Sequence, residues 1–423
     1  MIETVKQERA LLVMVLGHDE KSLQETLSEE LKNLAESAGL KVSGLLLANR
    51  RAISPRLYIG KGKAEEILAE CQEINPDVVI FNVNLKPGQQ RNLEDLLGTK
   101  VIDYTQLIVD IFAKRAHTQE GMLQVELAQT AYLLPRLKGK GTMLSQQGGG
   151  IGTLGPGEKK LEIDRRRIEE RVDRLRKEIE EIRQHRGVLR KKREKENVKI
   201  CSLVGYTNAG KSTLFNALAQ SHEKTADSLF TTLDTVSNTF NLKDNLNAVI
   251  ADTVGFIHKL PPHLVDAFKA TLEELEHADL IIHIIDVSSP DIKRLKQSVD
   301  AMLSELGLLE KPILLVFNKI DKAGAEENLW LMGKDYPNAV SISALNGTGL
   351  DILKEKIFEI IFQEMKQAEI KLSFQQMELA NYVHKTCEII KKEYSEKEIV
   401  FSVRAKESNL AYLKKNGAQV NEI

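Results

Sequence analysis

Cysteine is scarce in this 423-residue chain: only Cys71, Cys201 and Cys387, no two of them at metal-ligand spacing. That argues against a disulfide framework and against a cysteine-based zinc site. Aromatic residues make up 5% and tryptophan occurs once, so the cores must be aliphatic. An excess of one charge is also missing, because 59 Lys and Arg stand against 61 Asp and Glu, a net of −2. Bulk electrostatics therefore does not mark a nucleic-acid binder, and any basic surface has to be local. No apolar run approaches the roughly 20 residues of a membrane helix. The first apolar run, Ala10–Leu16, is short and framed by charges, and it reads as a strand rather than a signal peptide. With 42% apolar and 28% charged residues, the expectation is a soluble, cytoplasmic protein of several domains with reduced thiols.

Apolar periodicity divides the chain into four. Residues 1–115 alternate short apolar runs (Ala10–Leu16, Val42–Ala48, Asp77–Phe81, Val101–Asp103) with helical patterns at Lys21–Ala38, Lys63–Cys71 and Pro87–Leu97. This rhythm predicts a small N-terminal α/β domain with a mostly parallel sheet. Residues 116–196 change character. Leu123, Leu127, Ala131 and Leu134 recur at spacings of four and three, as do Ile168, Val172, Leu175, Ile179 and Ile182. Such spacing marks a helical seam, and the two stretches read as an antiparallel helical hairpin. Two independent amphipathic helices packed on neighbouring domains are the alternative. Between them lies Gly139–Gly157, GKGTMLSQQGGGIGTLGPG, with eight glycines and no acidic residue. The second helix is rich in Lys and Arg interleaved with Glu and Asp, partly ordinary i,i+4 pairing. Residues 197–365 carry strand patterns at Lys199–Val204, Val236–Leu242, Ala248–Asp252, Leu280–Asp286, Ile313–Asn318 and Ala339–Ile342, a doubly wound α/β sheet. Residues 366–423 predict a short α+β C-terminal domain, with a helix near Phe374–Tyr394, a strand at Glu398–Val403 and a helix near Ser408–Asn416.

The strongest chemical signal is Gly205-Tyr206-Thr207-Asn208-Ala209-Gly210-Lys211-Ser212, set between the strand KICSLV and a helix that begins with Thr213. It fits G-x-x-x-x-G-K-S in the strand–loop–helix context that a P-loop needs. Backbone N–H groups of Gly205, Asn208, Ala209 and Gly210, with the helix N-terminus, make a positive concavity for phosphates. Lys211 would reach the β- and γ-phosphates and the Ser212 hydroxyl would ligate Mg²⁺.

Four further segments follow in chain order. Phe230-Thr231-Thr232-Leu233-Asp234 offers Thr232 as a second Mg²⁺ hydroxyl. Asp252-Thr253-Val254-Gly255 ends an apolar strand; Asp252 can hold a Mg²⁺-bound water and the Gly255 N–H can meet the γ-phosphate. In Asn318-Lys319-Ile320-Asp321, the Asp321 carboxylate can accept both N1–H and N2–H₂ of guanine, a pair adenine does not offer. Asn318 can support the loop and reach N7, and the Lys319 stem can cover the base. In Ser343-Ala344-Leu345 the Ala344 N–H can meet guanine O6. Each piece alone is a common loop. Ordered, and mostly at the C-terminal ends of predicted strands, they point to GTP over ATP, with GDP as product. Lys211, Thr232 and Gly255 are the expected catalytic residues. Residue 256, where many GTPases place a water-orienting Gln, is Phe, so intrinsic hydrolysis is expected to be slow and completed by a partner. His117, His258, His263 and His283 show no ligand spacing.

The runs AQTAYLLPRLKG (128–139), QQGGGIGTLGPGEKKLEIDRR (146–166), VGYTNAGKSTLFNAL (204–218) and DTVGFIHKLPPHLVDAFKATLEE (252–274) resemble the HflX family of translational GTPases. The likeness extends over nearly the whole chain. It departs at Leu154, where the family's glycine-rich pattern has Arg, at Lys159-Lys160 in place of Thr-Gln, and at Thr231 in place of Ala. The resemblance implies a GTPase that binds the large ribosomal subunit and dissociates or rescues stalled ribosomes, with the glycine-rich tip directed at rRNA near the peptidyl-transferase centre. It also raises ATP as a ligand of the N-terminal domain, where Gly60-Lys61-Gly62-Lys63 precedes a helix, although a basic turn explains that motif more simply. The competing readings are a nucleotide-gated ribosome assembly factor and a regulatory switch acting on a protein partner.

Overall fold

The computed structural model describes residues 7–50, 52–137, 156–195, 198–219, 236–243, 246–253, 255, 275–362, 366–395 and 398–422. The described residues form two compact units, one reaching to Arg190 and the other beginning at Lys191. The fold is multidomain α/β. Among the described residues no helix is long and apolar enough to cross a membrane.

The first unit opens with β1 (Arg9–Leu16), α1 (Gln24–Ser37), β2 (Lys41–Asn49), α2 (Lys61–Ile74), β3 (Val78–Phe81), α3 (Pro87–Leu97), β4 (Lys100–Ile102) and α4 (Tyr104–Arg115). The strands form a parallel sheet in the order β2-β1-β3-β4. β1 is buried from Ala10 to Leu16, as a central parallel strand covered on both faces must be. Leu11, Val13 and Val15 pack with Ile67 and Cys71 of α2 and Leu93 of α3. Pro87 opens α3 and Gly98, at φ 62°, ends it, the usual asymmetry of helix punctuation.

Helix α5 (Gln119–Leu137) and the long α6 (Pro156–Lys195) are linked by an ion pair. Arg171 of α6 donates to both carboxylate oxygens of Glu126 on α5, each at 2.7 Å, and holds that carboxyl below its usual range. In α6 the expected seam holds, with Val172 and Leu175 buried and Ile168, Ile179 and Ile182 half-buried. In α5 the face is rotated. Leu123 is buried as expected, but it is joined by Val125, Ala128 and Tyr132, while Leu127, Ala131 and Leu134 are only partly buried. The reason is that α5 also packs on α4. The Tyr132 hydroxyl donates to Asp103 at 2.9 Å, and Arg136 donates to Asp103 at 2.9 Å and to the Leu85 carbonyl at 3.0 Å. The glycine-rich segment lies almost wholly outside the described residues.

The second unit continues with β5 (Lys199–Gly205), α7 (Lys211–Ala219), β6 (Val236–Lys243), β7 (Leu246–Asp252), β8 (Leu280–Asp286), α8 (Ile292–Glu305), β9 (Ile313–Asn318), α9 (Ala325–Asp335), β10 (Val340–Ser341) and α10 (Leu350–Ile361). The sheet order is β10-β9-β8-β5-β7-β6; only β6 runs antiparallel, so the sheet is mixed. Loops after β5, β7, β9 and β10 therefore all leave from the same edge.

The chain ends with β11 (Lys366–Ser373), α11 (Met377–Thr386), β12 (Glu388–Tyr394), β13 (Glu398–Ala405), α12 (Glu407–Lys415) and β14 (Gln419–Glu422), an antiparallel sheet in the order β12-β13-β11-β14. The predicted helix over Phe374–Tyr394 is corrected here: it stops at Thr386 and the rest is strand. β12 is an edge strand whose residues from Lys391 onward are exposed, so its Lys and Glu mimic a solvated helix face. Beside each of the three sheets lies a core that holds one buried cysteine: Cys71, Cys201 and Cys387.

His283 is buried in the centre of β8, 3.6 Å from Asp300, and burial outweighs that carboxylate to push its pKa down to about 4. Lys296 and Lys211 add to the lowering. The unfolded imidazole protonates near 6.5. Between those values the unfolded chain binds more protons, so stability falls as pH falls. Urea unfolding at pH 5 should show about 2 kcal/mol less stability from this residue than at pH 7. His283→Gln should flatten that share of the profile; an unchanged profile in this variant would move the acid sensitivity elsewhere.

Candidate functional site

The site is assembled at the carboxyl edge of the mixed sheet, around the turn from β5 into α7. β5 ends where its backbone runs tightly against β8; a Cβ on Gly205 would stand 2.4 Å from the Ile284 carbonyl oxygen. The loop then turns through Asn208 at φ 61° and Gly210 at φ 94°. At Gly210 a Cβ would fall 2.2 Å from the Asn318 amide nitrogen, so only glycine fits. The Gly210 carbonyl accepts from the Leu214 N–H at 2.9 Å and starts the helix that carries Ser212 and Thr213.

Lys211 is buried at 6% exposure, and its ammonium donates to the loop carbonyls of Gly205 (3.2 Å) and Tyr206 (2.9 Å). Burial lowers its pKa to about 8, with Asp252 opposing and Lys319 assisting. The Ser212 hydroxyl donates to Asp252 at 2.7 Å, which brings together two oxygens suited to a hard divalent cation. The Thr253 hydroxyl donates to the Leu203 carbonyl at 2.6 Å and pins the end of β7 to β5. Gly255 lies against Lys211 and Thr207; a Cβ there would meet Lys211 Nζ at 2.9 Å.

On the other side, β9 delivers Asn318, 1% exposed. Its amide nitrogen donates to the Ala209 carbonyl at 2.8 Å, and its amide oxygen accepts from the Ala344 N–H at 3.0 Å. One side chain thus joins the phosphate loop to the loop after β10. The Ala344 N–H, expected to meet guanine O6, donates to Asn318 in this structure, where the two loops close on each other. Lys319 adopts φ 65° and its ammonium lies 2.7 Å from Asp286. Ile320 donates its N–H to the Ile342 carbonyl at 3.3 Å, Asp321 is exposed beyond it, and Ser343 closes a turn by accepting from Asn346 at 3.2 Å. Leu345 is 77% exposed.

Phe230, Thr231, Thr232, Leu233, Asp234, Val254 and Phe256 lie outside the described residues. Sequence reasoning missed two members of the site. Asp286, the last residue of β8, pairs with Lys319 and was marked only by its place at the strand end. Thr207 occupies a motif position that admits any residue. At the N-terminal Gly60-Lys61-Gly62-Lys63, Lys61 and Lys63 pair with Glu65 and Glu66 at 3.7 and 2.6 Å, and a Cβ on either glycine would meet nothing. A separate cavity of about 260 Å³, lined by Glu20, Glu30, Arg50, Tyr58 and Asn82 among others, opens beside the ends of β1 and β3 without either lysine.

A loop that holds a buried lysine, a paired serine and aspartate, and a braced Asn-Lys-Ile-Asp turn is a nucleotide-site arrangement, and comparison with known proteins agrees. Residues 25–113 match the family model described as GTP-binding GTPase N-terminal, residues 115–193 the GTP-binding GTPase middle region, and residues 200–319 the 50S ribosome-binding GTPase. The GTPase HflX of Caldanaerobacter subterraneus subsp. tengcongensis is 45% identical over 94% of this chain and 91% of its own length. GTPase HflX of Escherichia coli K12 is 40% identical over 92% and 91%. A crystal structure of a GTP-binding protein from Sulfolobus solfataricus in complex with GDP is 28% identical, with a TM-score of 0.44, over 84% of this chain and 99% of that one. By sequence shared along almost its full length, the chain belongs to the HflX family of GTPases.

Proposed function

We propose that this GTPase binds the large ribosomal subunit and dissociates or rescues stalled ribosomes in the cytoplasm, using GTP hydrolysis to reset itself. The observation that carries the reading is the match of residues 200–319 to the 50S ribosome-binding GTPase family. The α5–α6 pair supports it, since it flanks an acid-free glycine-rich segment suited to an RNA-lined cavity. The arginines of α6 are engaged in exposed pairs such as Arg165–Glu169 at 3.1 Å and Arg166–Glu170 at 3.2 Å. Exposed pairs are worth little, so these side chains can be exchanged onto rRNA phosphates at small cost. The working division is 1–115, 116–196, 197–365 and 366–423.

In the GTP site, Lys211 holds the β- and γ-phosphates and the Gly255 N–H meets the γ-phosphate. Asp321 reads guanine, with Asn318 and Lys319 supporting the base loop. Ser212 and Thr232 directly, and Asp252 through water, are the residues that would hold Mg²⁺, which spreads the charge developing on the transferred phosphoryl group. Because Lys211 titrates near 8 in the free protein, polyphosphate binding must keep it charged. GDP affinity should fall about tenfold per pH unit above pH 8, until the bound-state pKa is reached. A Lys211 that carries no phosphate contact would leave the profile flat there.

The decisive experiment is GTP turnover with and without purified large subunits. Strong stimulation is expected, and Gly148–Gly150 replaced by alanines should lose it while keeping basal turnover. Stimulation without any release of subunits from intact ribosomes would favour an assembly role. No stimulation at all would sink the ribosomal reading.

A further inference from the structure

The Thr207 side chain is 7% exposed, and its hydroxyl has no hydrogen-bond partner among the described residues. A buried hydroxyl without a partner is costly, and the cost persists in a folded protein where the group serves something else. Thr207 sits within the phosphate loop, two residues after Gly205. Its neighbours locate it further. The position a Cβ would take on Gly255 is 3.0 Å from the Thr207 methyl and 2.9 Å from Lys211 Nζ. Threonine, the end of the Lys211 side chain and the Gly255 backbone therefore converge on one spot.

We propose that the Thr207 hydroxyl donates a hydrogen bond to an oxygen of the γ-phosphoryl group of GTP, which makes it a triphosphate-sensing contact that GDP cannot engage. This rests on the assignment of Lys211 and Gly255 to the γ-phosphate side of the site. Three features of this chain make the contact chemically apt. The hydroxyl is held in a sequestered place where a charged acceptor is valued more than in water. Among the described residues it has no partner to give up. It also lies beside the end of the Lys211 side chain, so a neutral donor adds stabilisation without adding another charge to desolvate.

The test uses the full chain with Thr207→Val, which keeps shape and removes the hydroxyl, and Thr207→Ser, which keeps it. Affinities are measured for GDP and for the imido-linked GTP analogue, together with melting of the nucleotide-free proteins. Thr207→Val should bind GDP as the parent does and lose roughly 10- to 100-fold for the GTP analogue, the range for a hydrogen bond to a charged group. Thr207→Ser should restore the ratio. Without nucleotide, Thr207→Val should melt no lower than the parent, since an unpartnered buried hydroxyl has been removed. An unchanged ratio in Thr207→Val overturns the proposal, and so does an equal loss for both nucleotides, which would make the residue a loop-packing group. If Lys211→Ala also binds both nucleotides normally, the underlying site assignment has failed rather than this contact alone.

Discussion

Asp321→Asn should turn a guanine site into a xanthine site. The carboxylate is exposed three residues beyond the end of β9, where a base edge can reach it. Paired with N1–H and N2–H₂ it makes two charge-assisted hydrogen bonds, each worth about 1.5–3 kcal/mol. Asparagine presents an N–H₂ where the second acceptor stood, against the guanine amino group. GTP affinity should drop by roughly 10²- to 10⁴-fold. Xanthosine triphosphate, with an oxygen at C2, should bind better than GTP. Competition between the two nucleotides reads the ratio directly, and a variant that still prefers GTP would show that the base is read elsewhere.

Asn318→Ala should cost nearly as much by a different route. This side chain touches both loops and is almost wholly buried. Truncation leaves the Ala209 carbonyl and the Ala344 N–H without their partner, at about 1–3 kcal/mol each. The phosphate loop and the base loop then lose their common brace. GDP and GTP affinity should fall together, by roughly 100-fold or more, and the second unit should melt earlier. The equal loss distinguishes this residue from Asp321 and Thr207, whose effects depend on base or phosphate count. An Asn318→Ala protein with full affinity and unchanged melting would mean that the loops are positioned by their own turns.

How much of this was legible in the residues varies with what each residue had to do. Leu280–Asp286 and Ile313–Asn318 are strands with the expected ends, because continuous apolar runs bounded by polar residues admit few other readings. Pro87 and Gly98 punctuate α3 plainly. The order of the site motifs was legible because backbone geometry dictates glycine at 210 and a lysine and serine just after it. The edge strands β12 and β14 were not, since an edge strand buries too little to impose alternation. The rotated face of α5 was hidden because two sets of neighbours compete for one helix. Thr207, and the capture of the Ala344 N–H by Asn318, arise from contacts between segments far apart in sequence, and no spacing along one segment contains them.

The placement of the three thiols turns the molecule into its own stopwatch. Cys71, Cys201 and Cys387 are each enclosed in a different sheet's core, and burial is the leading cause that raises every one of them above the ordinary thiol range. A thiolate is the species that alkylating reagents attack, so in the closed protein all three should be inert. Each becomes reactive only when its own core opens. Labelling rates resolved by peptide mass would then give three separate opening free energies from one untouched chain. Adding GDP should slow the clock at Cys201 in particular, the only one of the three that lies on the strand leading into the phosphate loop.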